Sequence, residues 1–223
     1  EVKNLVKIYQ DGSEQFRALD DVSLNIKEGE SVAIIGKSGS GKSTLMHLLA
    51  ALDKPNEGEI FINGNNIAKM KKRELNKLRN QTFGFVFQQF FMNPKDTVLQ
   101  NVVLPLKIAK VSPRKRKEIA IKALEAVDLV DKARNKASNL SGGQKQRVCV
   151  ARAVANSPKI IFADEPTGNL DTNTGDKVEE LLFGLNKEKG ITLIIVTHDE
   201  ALAEKCNRQI RLQDGKIISK GEK

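Results

Sequence analysis

Apolar and polar residues alternate from Val22 to Lys27, with Val22, Leu24 and Ile26 set against Ser23, Asn25 and Lys27, which is the period of a half-buried strand. After a turn at Glu28-Gly29, the run from Ser31 to Ile35 is continuously apolar and predicts a strand covered on both faces, as parallel strands are. A glycine-rich stretch follows, Gly36-Lys37-Ser38-Gly39-Ser40-Gly41-Lys42-Ser43-Thr44. Leu45, Leu48, Leu49 and Leu52 then recur at helical spacing before Pro55. The order is strand, loop, helix. Ile60 to Asn63 predicts another strand, closed by a turn at Gly64, and with the N-terminal strands it suggests a small antiparallel sheet beside the parallel one.

From about Gln89 to Pro158 the pattern is mainly helical, with Ser112-Pro113 suited to an N-cap and first helical residue. Strand signals return at Ile160-Ile161-Phe162-Ala163 and at Thr192 to Thr197, on either side of a helical segment from Thr174 to Glu188. Such alternation argues for an α/β fold with a mainly parallel core sheet, an antiparallel β subdomain and an inserted helical subdomain. We expect one domain over residues 1–223, with residues 1–88 and 159–223 forming the core and 89–158 the helical subdomain.

Composition supports this reading. A chain of 223 residues with 39% hydrophobic content can bury one substantial core. Its longest apolar run near the C-terminus, Leu193-Ile194-Ile195-Val196, is a buried strand in length and far too short to span a bilayer, so the chain reads as soluble. No signal-peptide pattern is present, and the chain begins at Glu1 rather than at methionine, which leaves open a trimmed start or a piece of a longer chain. Cys149 and Cys206 have no metal-ligand spacing and read as packing residues in a reducing compartment. A formal charge of +9 invites a nucleic-acid or anionic-membrane partner. The charge is spread, however, and its one dense cluster, Arg114-Lys115-Arg116-Lys117, reads as a solvated helix face.

Candidate chemistry begins in the glycine loop. Gly36 to Ser43 fits G-x-x-x-x-G-K-[ST] between a strand and a helix, the setting in which backbone N–H groups cradle phosphates, Lys42 reaches the terminal phosphates and the Ser43 hydroxyl ligates Mg²⁺. Asp164 and Glu165 end an apolar strand, where ligands of open α/β sheets bind. Asp164 is placed to hold the magnesium's water shell, and Glu165 to orient and polarise an attacking water. A second apolar strand ends at Thr197-His198-Asp199, so His198 is a candidate hydrogen-bond donor to a terminal phosphate, whereas His47 falls inside the helix after the loop and reads as structural. One stretch resists this account. Leu140-Ser141-Gly142-Gly143-Gln144-Lys145-Gln146-Arg147-Val148 is a second glycine-rich helix start, and hence a second anion cradle, with no carboxylate pair of its own.

Taken together, "GKSGSGKST", "LSGGQKQRV", "IIFADEPTGNLD" and "VTHD" resemble, in this order, the ATPase subunit of an ABC transporter over essentially the whole chain. The resemblance implies a phosphate-loop fold of ABC ATPase type, ATP and Mg²⁺ as cofactors, and ATP hydrolysis coupled to transport or mechanical work. It implies that Tyr9 stacks on adenine, that Gln88 in "FVFQQ" contacts magnesium and senses the γ-phosphate, and that Asp171 faces a partner subunit. Gly36, Ser38, Ser40, Gly39, Gly41 and Thr44 fall to the nucleotide with Lys42 and Ser43. It also accounts for the second cradle: in a head-to-tail homodimer, Ser141, Gly142 and Gly143 close over the γ-phosphate held by the other chain's loop. "ADEPTGNLD" and "GFVFQQF…TVLQNVVLPL" resemble the branch of macrolide-exporter, lipoprotein-release, antimicrobial-peptide-resistance and cell-division ATPases. These pair with an integral membrane permease, separate or fused, at the cytoplasmic face of the membrane. Asn93-Pro94-Lys95-Asp96 departs from the apolar residues expected there, in the region that would receive the permease. The runner-up readings are a soluble ABC-type ATPase acting on nucleic acid or ribosomes and a small phosphate-loop kinase. Against the first stand the absence of a tandem second ATPase domain, a coiled-coil insertion and zinc-ligand cysteines; against the second stands the serine-glycine-glycine helix start. No specific nucleic-acid partner is expected.

Overall fold

A computed structural model describes residues 1–12 and 14–222. Strands β1 (Val2–Asp11), β2 (Glu14–Leu24) and β3 (Ser31–Ile35) come first, and helix α1 (Lys42–Leu49) carries the residues that follow the glycine loop. Strands β4 (Glu57–Ile62) and β5 (Asn65–Asn66) lead to helix α2 (Lys72–Thr82) and strand β6 (Phe83–Phe87). The stretch with a helical pattern holds α3 (Val98–Val102), α4 (Leu104–Ile108), α5 (Pro113–Glu125) and α6 (Gly142–Val154). Strand β7 (Ile160–Asp164), helix α7 (Thr172–Lys189), strand β8 (Thr192–Thr197), helix α8 (Glu200–Glu204) and strands β9 (Arg208–Gln213) and β10 (Lys216–Glu222) follow. Two compact units result: Glu1–Arg79 with the C-terminal segment from Ile194, and Asn80–Leu193.

In the first unit, β1 and β2 pair antiparallel and the sheet runs β2-β1-β4-β5. The pairing is bulged: its register shifts between Val2 and Leu5, Leu5 and Lys7, and Lys7 and Ile8, and Asn4 and Asp21 take φ of 49° and 56°. Each bulge inserts an unpaired residue and flips the alternation that follows it. Strand β2 runs from Glu14 to Leu24, opposite the two ends of β1 at Asp11 and Val2, and so stops short of the Lys27 that simple alternation predicts. Strand β3, buried at every position, pairs parallel with β9, Ile34 opposite Ile210, and β9 pairs antiparallel with β10. A polar clasp sets the β3–β9 register. The Ser31 amide and hydroxyl donate to Asn207 Oδ1 at 2.9 and 2.7 Å, and the Asn207 amide donates to Ser31 Oγ at 2.9 Å.

In the second unit, β6 and β7 pair parallel from Phe83 opposite Ile160 to Phe87 opposite Asp164. Their aromatic side chains form one cluster: Phe83 meets Phe162 edge-on at 5.3 Å and Phe85 stacks on Phe162 at 5.7 Å. Helix α6 buries Gln146, Val148, Cys149, Val150, Ala151 and Ala153. Helix α5 leaves Arg114, Lys115 and Lys117 exposed, as a solvated face requires. Both cysteines are buried. Among the described residues no helix is long and apolar enough to cross a membrane.

Candidate active site

The glycine loop links buried β3 to α1 in the first unit. Gly41, the N-cap of α1, has φ 99°, and a Cβ there would lie 2.5 Å from the Ala18 carbonyl oxygen, so only glycine fits. No side chain caps this helix, and its first N–H groups remain available to an anion. Lys42 Nζ donates to the carbonyls of Gly36 and Lys37 at 2.8 and 2.9 Å. Two of its three protons are thus committed to holding the ammonium over the loop, leaving one for a further acceptor. Ser38, Gly39 and Ser43 are exposed, Gly36 and Thr44 half-buried, and Ser40 buried.

Tyr9 on β1 is brought to the same place. Its ring is 38% exposed and its hydroxyl donates to Asp53 Oδ2 at 3.0 Å. Lys7 lies 4.8 Å from the ring centroid and pairs with Asp53 at 2.8 Å. Burial raises the Tyr9 pKa, with the Thr44 hydroxyl opposing it and Asp53 adding to it. Burial also works to raise the Asp53 pKa, but it is outweighed by Lys7, the Lys54 amide and Tyr9, which hold that carboxyl below its ordinary value. Tyr9 is therefore a fixed, half-open aromatic face. His198 is exposed directly after β8, before Asp199, which caps α8 by accepting from the amides of Ala201 and Leu202. His47 lies within α1, half-buried.

The second unit carries the acidic and signature residues. Asp164 ends β7, half-buried, and Glu165 follows with φ 45°. This left-handed conformation is uncommon for a side-chain-bearing residue and occurs where the surroundings hold it. Gln88 directly follows β6 and forms a reciprocal pair with Asn169: Gln88 Nε2 donates to Asn169 Oδ1 at 3.2 Å and Asn169 Nδ2 donates to the Gln88 carbonyl at 3.0 Å. The structure thus brings Gln88 against the turn that runs from Glu165 to Asp171. Buried Gln146 donates to the Pro166 carbonyl at 2.7 Å and the Phe87 carbonyl at 3.2 Å.

At the start of α6, Ser141 Oγ accepts from the Gln144 amide at 3.3 Å while the Gln144 side chain accepts from the Ser141 amide at 3.0 Å, a capping box. The two glycines differ. A Cβ on Gly143 would lie 2.0 Å from Thr174 Cγ2 on α7, whereas one on Gly142 would meet only Leu170 at 3.7 Å. Gly143 is required for the packing of α6 on α7, and Gly142, exposed, is not. Asp171 caps α7 by accepting from the Thr174 amide at 3.1 Å; the Thr174 hydroxyl, then its amide, hold the carboxyl below its usual pKa.

Residues 19–168 match the family model described as ABC transporter. The chain belongs to that family. The cassette is similar to MJ0796, a bacterial ABC transporter cassette of dimeric structure, at 46% identity and a TM-score of 0.91, over 99% of this chain and 97% of that one. A dimeric, post-hydrolysis state of MJ0796 bound to ADP and Pi matches at 45% identity and the same TM-score, 0.91, with the same coverage, 99% and 97%. CbiO1 from Clostridium perfringens, part of the ABC transporter complex cbiONQ, matches at 31% identity and a TM-score of 0.87, over 99% of this chain and 87% of that one. The phosphate-loop ABC ATPase fold expected from the sequence is the fold of the cassette.

The cassette's candidate residues divide between its units: Tyr9, the glycine loop and His198 in the first, and Gln88, Ser141 to Gly143, Asp164, Glu165 and Asp171 in the second. The polar segment from Asn93 to Asp96 has a local reason. Asn93 Oδ1 accepts from the Lys95 amide at 3.2 Å, and buried Asn101 accepts from the Asn93 amide at 3.0 Å. The amides of Ala137 and Ser138 donate to the carbonyls of Asp96 and Pro94 at 3.0 and 3.1 Å. These residues shape a turn. The sequence reading missed Gln146, Lys7 and Asp53. Gln146 carried a signal: it shares a helical face with Cys149 and Val150, and a polar residue on an apolar face needs a buried partner.

Proposed function

We propose that this cassette is the ATP-hydrolysing motor of a membrane transporter or mechanotransmission complex, acting as a head-to-tail homodimer around two ATP molecules. The carrying observation is 45% identity, over 99% of the chain, to a dimeric cassette bound to ADP and Pi. In this reading Tyr9 stacks on adenine, and Gly36, Ser38, Gly39, Ser40, Gly41, Lys42, Ser43 and Thr44 hold the phosphates. Ser141, Gly142 and Gly143 close over the partner chain's γ-phosphate, and Asp171 faces the partner. Residues 1–88 and 159–223 act as the nucleotide-binding core and 89–158 as the helical subdomain.

Magnesium fits the donors present. Ser43, Gln88 and Asp164 supply hard oxygen atoms, and among the described residues no cluster of three or more acidic, histidine or cysteine side chains forms a cage. An ion that keeps its waters and is shared with phosphates needs none. Magnesium at these residues would neutralise charge on the phosphates. Glu165 takes the proton of the attacking water, Lys42 offsets charge on the terminal phosphates, and His198 hydrogen-bonds the γ-phosphate. The partner is a permease, separate or fused, of the macrolide-exporter, lipoprotein-release or cell-division branch, which places the cassette peripherally at the cytoplasmic face.

The test is Glu165→Gln. It keeps nucleotide affinity while turnover falls by about 10²–10⁴-fold, the size of a general-base contribution, and ATP then holds the chains as dimers in gel filtration. Near-wild-type turnover would remove Glu165 from the base role.

A further inference from the structure

Between the end of β6 at Phe87 and the start of α3 at Val98 the chain forms neither strand nor helix. Its carbonyls therefore have no ladder to join and need other donors. For Phe87, Phe90 and Phe91 those donors lie on one face of α6. Gln146, Cys149 and Arg152 are spaced three residues apart along that helix, which places them in a row. Gln146 Nε2 donates to the Phe87 carbonyl at 3.2 Å, Cys149 Sγ to the Phe90 carbonyl at 3.1 Å, and the two Arg152 Nη atoms to the carbonyls of Phe91 and Phe90 at 2.7 and 3.0 Å. Gln88 lies between these anchor points.

Arg152 makes the outer anchor. Its planar fork grips two successive carbonyls at once, a geometry that lysine, with one rotating ammonium, cannot reproduce. The backbone it grips turns sharply, with φ 42° at Phe91, so the grip opposes a local tendency to relax. At the other end of the row, Gln146 bonds both the residue before Gln88 and Pro166, the residue after Glu165.

We propose that Arg152, with Cys149 and Gln146, is a positioning residue for Gln88: the helix that opens with Ser141-Gly142-Gly143 holds the Gln88 segment at both flanks, so that the metal-contacting amide and the signature turn shift together. The proposal rests on the reading of Gln88 as a magnesium contact. It is distinct from a packing role because it predicts where the defect appears. Loss of the Arg152 grip loosens the Gln88 segment, and the glycine loop keeps its grip on nucleotide.

The experiment measures ATPase rate against free Mg²⁺ for wild type, Gln88→Ala, Arg152→Ala, Arg152→Lys and the Gln88→Ala, Arg152→Ala double variant. Binding of a fluorescent ATP analogue in EDTA and the thermal midpoint are recorded for Arg152→Ala and Arg152→Lys. Arg152→Ala raises the Mg²⁺ needed for half-maximal turnover by about tenfold, the lower end for loss of a residue that orients a metal contact, and leaves metal-free nucleotide binding at the wild-type value. Arg152→Lys shows a smaller shift in the same direction and stands in if the alanine variant does not fold. The double variant is no worse than Gln88→Ala, because a residue that acts through Gln88 has nothing left to position. Additive defects, or a lowered thermal midpoint with wild-type Mg²⁺ dependence, would overturn the proposal. If Gln88→Ala itself leaves Mg²⁺ dependence unchanged, the reading of Gln88 fails and the proposal falls with it; if Gln88→Ala shifts it and both Arg152 variants do not, only the positioning role is refuted.

Discussion

Two glycine-rich turns open helices in this chain, one before α1 and one before α6, and their similar composition hides opposite construction. Before α1 the cap is backbone alone: Gly41 sits at φ 99°, no side chain bonds the helix start, and β2 backbone blocks any Cβ. Before α6 the cap is a side-chain box between Ser141 and Gln144, the chain entering at an ordinary extended conformation. The first turn needs glycine for its curvature, and no side chain caps the helix it opens. The second satisfies part of its helix end locally and needs glycine at Gly143 for contact with Thr174. Glycines thus mark a wrapping site in one case and a close-fitting surface in the other.

Damage to both turns in separate chains should have the largest effect. Lys42→Ala and Gly142→Asp should each abolish turnover, the second because its carboxylate repels a γ-phosphate. Mixed, they should recover part of it, since one shared site is then intact. A Lys42→Ala, Gly142→Asp chain forced to pair with wild type should have no activity, and full activity there would refute sharing between chains. Next in size, Gly41→Ala should cost at least about 2 kcal/mol in urea unfolding, from left-handed strain and a backbone clash together. Gly143→Ala should cost about 1–3 kcal/mol through overpacking against Thr174, while Gly142→Ala changes stability by less than about 0.5 kcal/mol yet still slows turnover. Equal stability losses at the two glycines would erase the distinction between them. Smallest, Ser141→Ala should cost about 1 kcal/mol for the lost cap, read as a lowered thermal midpoint.

Much of the first turn was legible because its chemistry is local: a buried strand, the G-x-x-x-x-G-K-S spacing and a leucine-striped helix lie side by side in sequence. Helix α7 was expected from Thr174 to Glu188 and runs from Thr172 to Lys189, its start set by the Asp171 cap. Helix α2 was not anticipated: its apolar stripe is only Leu75 and Leu78 in an otherwise polar segment, and none of its residues is buried. Strand β6 escaped as well: Phe83-Gly84-Phe85-Val86-Phe87 is too short for periodicity to separate strand from helix. In β1 the bulges break the alternation that would have announced it, whereas the Val22–Leu24 end of β2 alternates and was read. Gln146 and Arg152 escaped for a different reason. Their partners are backbone carbonyls some sixty residues away in sequence, and a carbonyl leaves no mark in composition.

Glu165 is held with φ 45°, a conformation that costs a side-chain-bearing residue on the order of 1–2 kcal/mol and glycine almost nothing. On backbone strain alone that position suits glycine better than glutamate. Laboratory evolution of this chain for heat tolerance should for that reason keep an activity screen in every round, because on the role proposed for Glu165 a change that relieves this strain is also one that disarms the motor.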